Sequence, residues 1–538
     1  MLTSNSLPQP EISHHRGSCE AAVLEQTIGD ALRCAAERWP DCTALIEGAL
    51  DAAQRRRWTY SELLAAAERC AWTFLSAFRQ FDAVALWAPN CAEWVFLELG
   101  AALAGVTLVT VNPAYLSAEL VHVLAQSRVK GLVMVEEHRG RDLTAVVNQV
   151  RSVLPDLRSV FTMREWEERM FGVYPVQLPL VHPDDIAQIQ YTSGTTGFPK
   201  GAELTHRGLS NNARFYAAAI GARSDDVWIN PMPMFHTAGC GLLTLGALQT
   251  GGAHVLPASF DPELMLELFE SERGTLLLSV PTMLIRMLDA PSVRSRDLKS
   301  WRLATLGGAP VPPELVHRAA ELLGIKVAIG YGQTECSPYI THTAPDDPHP
   351  AWWETVGRPL PQTELKVIDI CTGAVVPTGE TGEVCARSAC VMKRYFRNEA
   401  ATAAAIDQDG WLHTGDLGAL DEMGYLRIQG RLKDMIIRGG ENIYPREIED
   451  VLFAYPAVMS AAVVGVPDSD WGEVPVAFVQ LRDGHEPTCA DLEAFCRAHL
   501  ASYKVPRIWR FVVAFPQTAS GKIQKFALQA EYLKEKDD

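Results

Sequence analysis

The sequence lacks several features that would assign it to a specialised class of protein. Its 538 residues contain twelve cysteines, none of them in a Cys-x-x-Cys pair or in a His/Cys group at zinc spacing. The pattern therefore predicts neither a disulfide framework nor a structural metal. Positive charge is also scarce, since 48 Lys and Arg face 65 Asp and Glu, a formal net charge of −17. A surface of that sign repels polyanions, which disfavours general nucleic-acid binding.

Long apolar runs are missing as well. The longest, 95–111, is interrupted by Glu98 and by two glycines. It predicts a buried helix followed by a strand and no membrane span. The first residues of the chain are polar and lack the apolar centre of a signal peptide. We therefore expect a flexible tail over 1–20 and a cytoplasmic protein with reduced thiols.

Regular alternation of short and long apolar segments is the main pattern that is present. Thr59 and Glu62 form a capping box before an alanine-rich run, which predicts a helix over 63–78. Strand-like runs such as 83–87 then alternate with helical runs such as 93–104. This alternation predicts parallel sheets covered by helices, an α/β fold.

The chain is too long for one ordinary core. From about 339 to 430 the strands become shorter and are punctuated by proline and glycine, which predicts a smaller β-rich subdomain. A compact α+β unit of about a hundred residues follows. We therefore predict a large N-terminal domain over 21–432 and a small C-terminal domain over 433–538.

A glycine- and hydroxyl-rich stretch, 191–201, carries the clearest chemical signal. Its glycines let the backbone approach an anion closely, its hydroxyl groups donate hydrogen bonds, and its lysine adds a positive charge. It differs from a P-loop because Phe198 and Pro199 precede the lysine. The stretch predicts a phosphate-binding loop with the following members: Thr192, Ser193, Gly194, Thr195, Thr196, Gly197 and Lys200.

Two further glycine-bearing loops follow predicted strands. One is Gly307-Gly308-Ala309-Pro310 and the other runs from Gly330 to Glu335. In open parallel sheets, ligands bind at the carboxyl ends of the strands. Both loops are therefore predicted to contribute to the same ligand site.

These motifs, in this order, resemble those of the adenylate-forming superfamily, which includes acyl- and aryl-CoA synthetases, amino-acid adenylation domains and beetle luciferases. The resemblance covers 59–525, and its motifs are the loop 191–201, Met234-Phe235-His236, Gly330 to Glu335, Thr414-Gly415-Asp416, Gly430 to Asp434, Gly439 to Asn442 and Gly521-Lys522. It implies that a carboxylate attacks the α-phosphorus of ATP to give acyl-AMP and pyrophosphate. A thiol then displaces AMP.

The resemblance also implies the residues that bind ATP. The loop 192–200 would hold the β- and γ-phosphates, Glu335 would bind Mg²⁺, and Thr334 would donate its hydroxyl to the α-phosphate. Lys522 would bridge the reacting carboxylate and the α-phosphate. Around the nucleoside, Tyr331 would stack on adenine and Asp416 would accept the ribose hydroxyls. The other positions implied are Gly308, Ala309, Pro310, Gly330, Gly332 and Arg431.

For the thioester step, the resemblance implies rotation of the small domain about a hinge at Lys433. Gly439 and Gly440 would then line a tunnel for the pantetheine arm of CoA, and Trp471 would form a wall of it. An alternative for Trp471 is structural, since it would equally suit a position between the sheet and a helix of the small domain.

The acyl pocket is predicted from Phe235 and His236, which match the aromatic gate of the family. An amino-acid-activating relative would carry an aspartate in place of His236, so an amino acid is disfavoured as the substrate. The neighbouring positions Gly239, Val280 and Gly307 are small or apolar and predict a roomy hydrophobic pocket. Fatty, aryl and bulky alicyclic or terpenoid acids all remain compatible.

The resulting prediction is an AMP-forming acid:CoA ligase that uses ATP, Mg²⁺ and CoA and acts as a monomer or homodimer. A second hypothesis is an acyl-AMP ligase that loads a separate carrier protein. A third, from another class, is a non-catalytic sensor of ATP or acyl-CoA. The presence of Glu335, Lys433 and Lys522 disfavours the sensor.

Overall fold

The computed structural model describes residues 12–192, 199–348, 350–482, 484–517 and 523–537. Its α-helices are α1 Ile28–Arg38, α2 Tyr60–Ala77, α3 Ala92–Ala104, α4 Ser117–Gln126, α5 Leu143–Val150, α6 Met163–Gly172, α7 His206–Ala219, α8 Gly246–Thr250, α9 Pro262–Ser271, α10 Pro281–Leu288, α11 Pro313–Leu323, α12 Ala351–Glu354, α13 Glu399–Ala405, α14 Pro445–Phe453, α15 Cys489–His499 and α16 Lys525–Asp537. A π-helix covers Ala238–Leu245.

The strands are β1 His14–Arg16, β2 Thr43–Gly48, β3 Arg57–Thr59, β4 Ala83–Trp87, β5 Thr107–Thr110, β6 Gly131–Met134, β7 Glu137–His138, β8 Arg141–Asp142, β9 Ser159–Thr162, β10 Ile186–Thr192, β11 Lys200–Thr205, β12 Val227–Ile229, β13 Ala253–Pro257, β14 Leu276–Ser279, β15 Leu303–Gly307, β16 Lys326–Gly332, β17 Tyr339–His342, β18 Arg358–Pro359, β19 Thr363–Ile368, β20 Gly382–Ser388, β21 Arg394–Tyr395, β22 Leu412–Leu420, β23 Leu426–Arg431, β24 Ile436–Arg438, β25 Glu441–Ile443, β26 Val458–Asp468, β27 Gly472–Leu481 and β28 Ile508–Phe511.

Two large sheets form the first part of the chain. A seven-stranded sheet has the order β21-β11-β10-β5-β4-β6-β9, and a nine-stranded sheet has the order β18-β17-β16-β15-β14-β12-β13-β2-β3. Neighbouring strands from β10 to β9 and from β16 to β2 are parallel, and the strands added at the edges are antiparallel. The predicted α/β architecture is confirmed.

Helices cover these sheets as the sequence indicates. The predicted capping box is present at the start of α2, where the Thr59 side chain accepts from the backbone of Glu62 and the Glu62 carboxylate accepts from the Thr59 N–H. Helix α3 is buried along its whole length. It contacts β5 of the seven-stranded sheet and β2 of the nine-stranded sheet. An amphipathic pattern is unnecessary for such a helix because both of its faces are covered.

The β-rich sheet has the order β1-β19-β20-β22-β23, and it corrects two predictions. The tail expected over 1–20 is wrong for His14–Arg16, which pairs with β19 as an antiparallel strand. Arg16 anchors this strand through an ion pair to Glu364 at 2.5 Å. The predicted start of the β-rich subdomain near 339 is also wrong. Strands β17 and β18 belong to the nine-stranded sheet, and after them the first strand of the β-rich sheet is β19, which begins at Thr363.

The last sheet has the order β25-β24-β27-β26, with β28 paired to β27. Helices α14 and α16 pack on β26. The predicted boundary at Lys433 lies in a short 3₁₀ turn, Leu432–Asp434, between the β-rich sheet and this one. Within the described ranges, none of the helices has both the length and the apolar character needed to cross a membrane.

Candidate active site

The predicted phosphate loop joins the two strands of a hairpin. Strands β10 and β11 are antiparallel, and Thr192 pairs with Lys200 at the open end. The predicted loop members Ser193, Gly194, Thr195, Thr196 and Gly197 lie outside the described residues.

Strand β11 of this hairpin also pairs with β21 on its other side. The pairing is reinforced by an ion pair of 2.5 Å between the buried Glu203 on β11 and Arg394 on β21. The two residues that flank the predicted loop therefore have fixed positions in the sheet.

Glu335 lies beside this hairpin, in a 3₁₀ turn that directly follows β16. Its Oε1 accepts a hydrogen bond of 2.6 Å from the Tyr395 hydroxyl and one of 3.4 Å from Thr192 Oγ1. The carboxylate and the neighbouring Thr334 are both buried. Burial, together with the adjacent Glu335, raises the pKa of the Tyr395 phenol. Tyr395 therefore remains a hydrogen-bond donor to Glu335.

Lys200 joins the same group from the other side. Its ammonium lies over the Tyr395 ring, 5.2 Å from the ring centroid. The strand ends thus bring one carboxylate, two hydroxyls and one cation together at the base of the predicted phosphate loop. Carboxylate oxygen is a ligand that Mg²⁺ prefers, and Mg²⁺ is commonly held by one or two carboxylates plus substrate phosphates. The residues around Glu335 therefore fit a magnesium ion.

A second polar group surrounds Asp416 on β22. Tyr331, near the end of β16, donates its hydroxyl to Asp416 Oδ2 at 2.8 Å. Arg431, paired with Asp416 across β22 and β23, lies 3.2 Å from Oδ1 through its Nε. The structure therefore brings together three residues that the sequence predicts around the nucleoside.

The remaining predicted nucleotide residues lie at the ends of β15 and β16. Gly307 and Gly330 are paired in register, so Gly308-Ala309-Pro310 begins at the same sheet edge as Tyr331. Gly308 has a φ of +75°, a left-handed conformation in which glycine is favoured. At Gly332 a Cβ would overlap the carbonyl oxygen of Pro338.

The loop that carries Asp416 is supported by Glu383, which the sequence analysis missed. Glu383 Oε2 lies 2.9 Å from His413 Nδ1, and Glu383 Oε1 accepts from the Gly415 N–H at 3.1 Å. The Thr414 hydroxyl donates to a backbone carbonyl of β20 at 2.6 Å. These contacts fix both sides of the Thr414-Gly415-Asp416 turn on β20.

Cys385 completes a group of potential metal ligands with Glu383 and His413, whose ligand atoms lie within 4.8 Å of one another. The Cys385 thiol is 3.7 Å from His413 Nδ1. Burial raises the pKa of this thiol to about 12. The three side chains form a hydrogen-bonded cluster beside the turn that carries Asp416.

The predicted acyl gate lies between β12 and the π-helix. The Phe235 and His236 rings are 5.3 Å apart, and Thr110 Oγ1 donates to the Phe235 carbonyl at 2.8 Å. At Gly239 a Cβ would overlap the Pro233 carbonyl, so this glycine is required by backbone packing.

The other predicted acyl-pocket residues lie on the nine-stranded sheet. Val280 is buried at the start of α10. Gly307 ends β15, where a Cβ would lie 2.8 Å from the Tyr339 hydroxyl oxygen. Tyr339 is therefore a neighbour of the predicted pocket that sequence reasoning did not identify.

The residues predicted for CoA lie together in turns that adjoin β24, β25 and β27 of the last sheet. Gly439 and Gly440 have φ angles of +58° and +89°. A Cβ on Gly439 would lie 2.8 Å from the Trp471 ring, and the Gly439 N–H donates to the Trp471 carbonyl at 2.7 Å. Trp471 is 47% exposed, so it does not pack between the sheet and a helix as the alternative hypothesis held.

Lys433 is exposed in its 3₁₀ turn. Lys522, the predicted adenylation lysine, lies outside the described residues. The nearby Lys525 pairs with Glu449 at 2.6 Å, which ties the start of α16 to α14.

Comparison with known proteins decides the family. A model of AMP-binding enzymes matches residues 32–396, and a model of the C-terminal domain of AMP-binding enzymes matches residues 447–522. The chain belongs to the AMP-binding enzyme family. The predicted adenylate-forming enzyme is thereby confirmed, and its relatives are named acyl-CoA synthetases or ligases.

Relatives of this AMP-binding enzyme span almost its whole length. YngI of Bacillus subtilis (strain 168), named as a candidate acyl-CoA synthetase, is 38% identical and covers 95% of this chain and 97% of its own. The Danio rerio medium-chain acyl-CoA ligase ACSF2, mitochondrial, is 36% identical over 97% of this chain and 91% of its own. The crystal structure of ATP-bound MatB from Rhodopseudomonas palustris has a TM-score of 0.85 at 30% identity, with 94% of this chain and 99% of that chain covered.

Proposed function

We propose that this AMP-binding enzyme converts a hydrophobic carboxylic acid, ATP and CoA into acyl-CoA, AMP and pyrophosphate. One observation carries the proposal: Glu335 and Thr192, which are 143 positions apart, lie within hydrogen-bond distance at the base of the phosphate loop. A carboxylate beside a glycine-rich loop supplies the oxygen ligands and N–H donors that a metal-bound polyphosphate requires.

In the adenylation step, a carboxylate oxygen of the acid attacks the α-phosphorus of ATP and pyrophosphate leaves. Two anions must approach each other, so the site has to place positive charge where negative charge accumulates. Lys200 and the loop would hold the leaving pyrophosphate. Thr334 would donate to the α-phosphate, and Lys522 would bridge that phosphate and the attacking carboxylate.

Glu335 would hold Mg²⁺, which neutralises the phosphate charge when it is bound. Tyr395 orients this carboxylate through its hydroxyl. Its phenol is fixed in turn because Tyr395 is paired with Ala202 in β11. The position of the metal ligand thus depends on a strand pairing that is far from it in the sequence.

The nucleoside would bind against the group around Asp416. A carboxylate has two acceptor oxygens, which suit a pair of ribose hydroxyls. Tyr331 and Arg431 also contact this carboxylate. Those two contacts also fix the orientation of Asp416 before ATP arrives. Preorganisation of this kind lowers the cost of ordering the site during binding.

In the second step, the CoA thiol attacks the acyl carbonyl and AMP leaves. We propose that the small domain turns at Lys433 between the two steps, which carries Lys522 away and brings Gly439, Gly440 and Trp471 to the acyl-adenylate. The exposed position of Lys433 in a short turn supports a hinge, since few packed contacts would have to break.

The acid is proposed to be a medium-chain fatty acid. The Danio rerio relative is named a medium-chain acyl-CoA ligase. Phe235, His236 and Val280 add an aromatic and aliphatic lining. Aryl and terpenoid acids are alternatives that the same assay distinguishes.

The compartment is proposed to be a reducing one. The twelve cysteines are all free thiols in the described part of the chain, as is usual where glutathione keeps thiols reduced. Cytoplasm and mitochondrial matrix both meet this condition.

The test is incubation with ATP, Mg²⁺, CoA and a panel of fatty, aryl and terpenoid acids, read by release of AMP and pyrophosphate. We expect stoichiometric AMP and acyl-CoA with medium-chain acids. Pyrophosphate release without thioester, restored by a phosphopantetheinylated carrier, would support the carrier-loading alternative. Binding of ATP without turnover of any acid would support a sensor.

A further inference from the structure

Two glycines lie side by side on adjacent strands of the nine-stranded sheet, so neither strand has a side chain at this point. Gly307 ends β15, and Gly330 is its partner in β16. A Cβ on Gly307 would lie 2.8 Å from both the Gly330 carbonyl oxygen and the Tyr339 hydroxyl oxygen, and a Cβ on Gly330 would lie 2.7 Å from Tyr339 Cε2. The Tyr339 ring therefore fills the space beside Gly330, and its hydroxyl reaches the space beside Gly307.

The backbone of Tyr339 is held in place by α7. The side chain of Asn212, which is buried, accepts from the Tyr339 N–H at 3.0 Å and donates to the Tyr339 carbonyl at 2.7 Å. These two hydrogen bonds do not involve the tyrosine ring. The position of the residue is thus independent of its side chain.

The ring itself is packed between two other rings. Its centroid lies 5.4 Å from that of Tyr216 and 5.8 Å from that of His342, and the Tyr216 and His342 centroids are 5.4 Å apart. Tyr339 is buried. Movement of the ring away from the glycines would therefore require the other two rings to repack.

Tyr339 lies on the predicted acyl side of the site. It belongs to the same packed cluster as Val280 and as Leu242 and Leu243 of the π-helix, which begins two residues after His236. The strand that carries Gly330 continues to Thr334 and Glu335 at the reacting end. An acyl chain that extends from the α-phosphate between β15, β16 and the π-helix would thus meet the Tyr339 ring.

We propose that Tyr339 closes the deep end of the acyl pocket and restricts the enzyme to acids of short to medium length. The inference rests on the proposed acid:CoA ligase function. A longer chain could enter only if the ring were displaced. In a hydrophobic pocket, one methylene group of the substrate that is added or removed changes kcat/KM by about tenfold.

The experiment compares wild type with Tyr339→Ala, Tyr339→Leu and Tyr339→Phe, using straight-chain acids from acetate to palmitate and pyrophosphate release as the readout. The quantity compared is the ratio of kcat/KM for a long acid to that for a short one. We expect this ratio to rise about tenfold or more in Tyr339→Ala and by less in Tyr339→Leu. Tyr339→Phe retains the ring and should retain the wild-type order of preference.

The outcomes separate the two proposals. If wild type releases no pyrophosphate with any acid, the ligase function itself is wrong. If wild type is active and the folded Ala and Leu variants have its chain-length profile, Tyr339 does not limit the pocket. Thermal melting of each variant shows that it is folded before the profiles are compared.

A second substitution tests the contact directly. The three atoms nearest to a Cβ on Gly330 all belong to the Tyr339 ring. Gly330→Ala should therefore lower the melting temperature and the activity in the wild-type background, and should be better tolerated together with Tyr339→Ala. Equal damage in both backgrounds would show that the ring does not occupy this space.

Discussion

The hydroxyl of Tyr395 donates a hydrogen bond of 2.6 Å to the carboxylate of Glu335. The two residues are 60 positions apart and meet because β21 pairs with β11 at the edge of the seven-stranded sheet. The same tyrosine ring lies under the ammonium of Lys200. One side chain thus links the proposed metal ligand with a proposed pyrophosphate ligand.

Tyr395→Phe removes this donor and leaves the ring in place. Hydrogen bonds to charged groups contribute about 1.5–3 kcal/mol, so we expect adenylation to slow by roughly tenfold to a hundredfold. The apparent Mg²⁺ requirement should rise at the same time, because Glu335 loses the contact that orients it. Pyrophosphate release measured over a series of Mg²⁺ concentrations tests both effects.

Tyr425→Phe is the matched control. The Tyr425 hydroxyl also donates to a carboxylate, that of Asp347, at 2.7 Å. Neither of these residues belongs to the proposed site, so this variant should retain the wild-type Mg²⁺ dependence. Identical Mg²⁺ profiles for the two variants would contradict the role of Tyr395.

Asp416→Asn tests the nucleoside site. An amide has one acceptor atom in place of two, and it cannot form the ion pair with Arg431. We expect the preference for ATP over 2′-deoxy-ATP, measured as a ratio of kcat/KM, to fall about tenfold. Asp369→Asn, at a half-buried position just before an exposed turn of the β-rich sheet, serves as the control. If Asp416→Asn keeps the wild-type ratio of kcat/KM for ATP to that for 2′-deoxy-ATP, Asp416 does not bind the ribose.

Lys522→Ala and Lys433→Pro test the division of labour between the two steps. The first should abolish acyl-AMP formation and spare thioester formation from supplied acyl-AMP. The second should do the reverse, since a fixed φ would restrict rotation at the hinge. Each half-reaction is measured separately, with Lys534→Ala, at an exposed position of α16, as a control for the loss of a nearby lysine. If either variant loses both steps to the same extent, the two roles are not separate.

Trp471→Ala tests the CoA site of the small domain. Trp471 packs against Gly439 and lies under Arg438, 5.2 Å from ring centroid to guanidinium. We expect KM for CoA to rise about tenfold with ATP–pyrophosphate exchange unchanged. Phe511→Ala is a matched control because Phe511 is 46% exposed in the same sheet. An equal effect of the two substitutions on KM would argue against a tunnel wall at Trp471.

Three buried histidines predict loss of stability in acid. Burial lowers the pKa of His206 and His342 to about 4 and that of His254 to about 3, from 6.5. Between these values the unfolded chain binds protons that the folded chain excludes, so the free energy of unfolding falls as pH falls. The melting temperature should therefore decrease from pH 6.5 to pH 4.

His342→Asn should make this decrease shallower, because one of the three titrating groups is gone. His342 faces the rings of Tyr216 and Tyr339, and neither phenol titrates in acid. The control is His485→Asn, at an exposed position. A slope that is the same in all three proteins would assign the acid sensitivity to other groups.

Most of the fold was predictable because its determinants are local. The capping box of Thr59 and Glu62 and the alternating apolar runs that follow are visible within short windows. Strand β4 was predicted at its observed bounds, Ala83–Trp87. Strand β1 was not, because His14–Arg16 has no apolar alternation and acquires its partner about 350 residues later.

Site residues that belong to a short sequence motif could be predicted. Site residues that reach the site only because two distant strands pair could not. Asp416, Tyr331 and Arg431 were predicted from three separate motifs. Tyr395 was missed because β21 has only two residues and its partner Glu335 lies on another element. Glu383 was missed because a glutamate at the start of a strand is typical of solvent-exposed positions.

The two hydrogen bonds between Asn212 and the backbone of Tyr339 also bear on how such enzymes diverge. They hold the chain at this position whatever side chain it carries. A single codon change there would alter the range of acids accepted while Glu335, Thr334 and Asp416 keep their contacts. Substrate preference could then drift among descendants of this gene without an inactive intermediate, since chemistry and selectivity are encoded at separable positions.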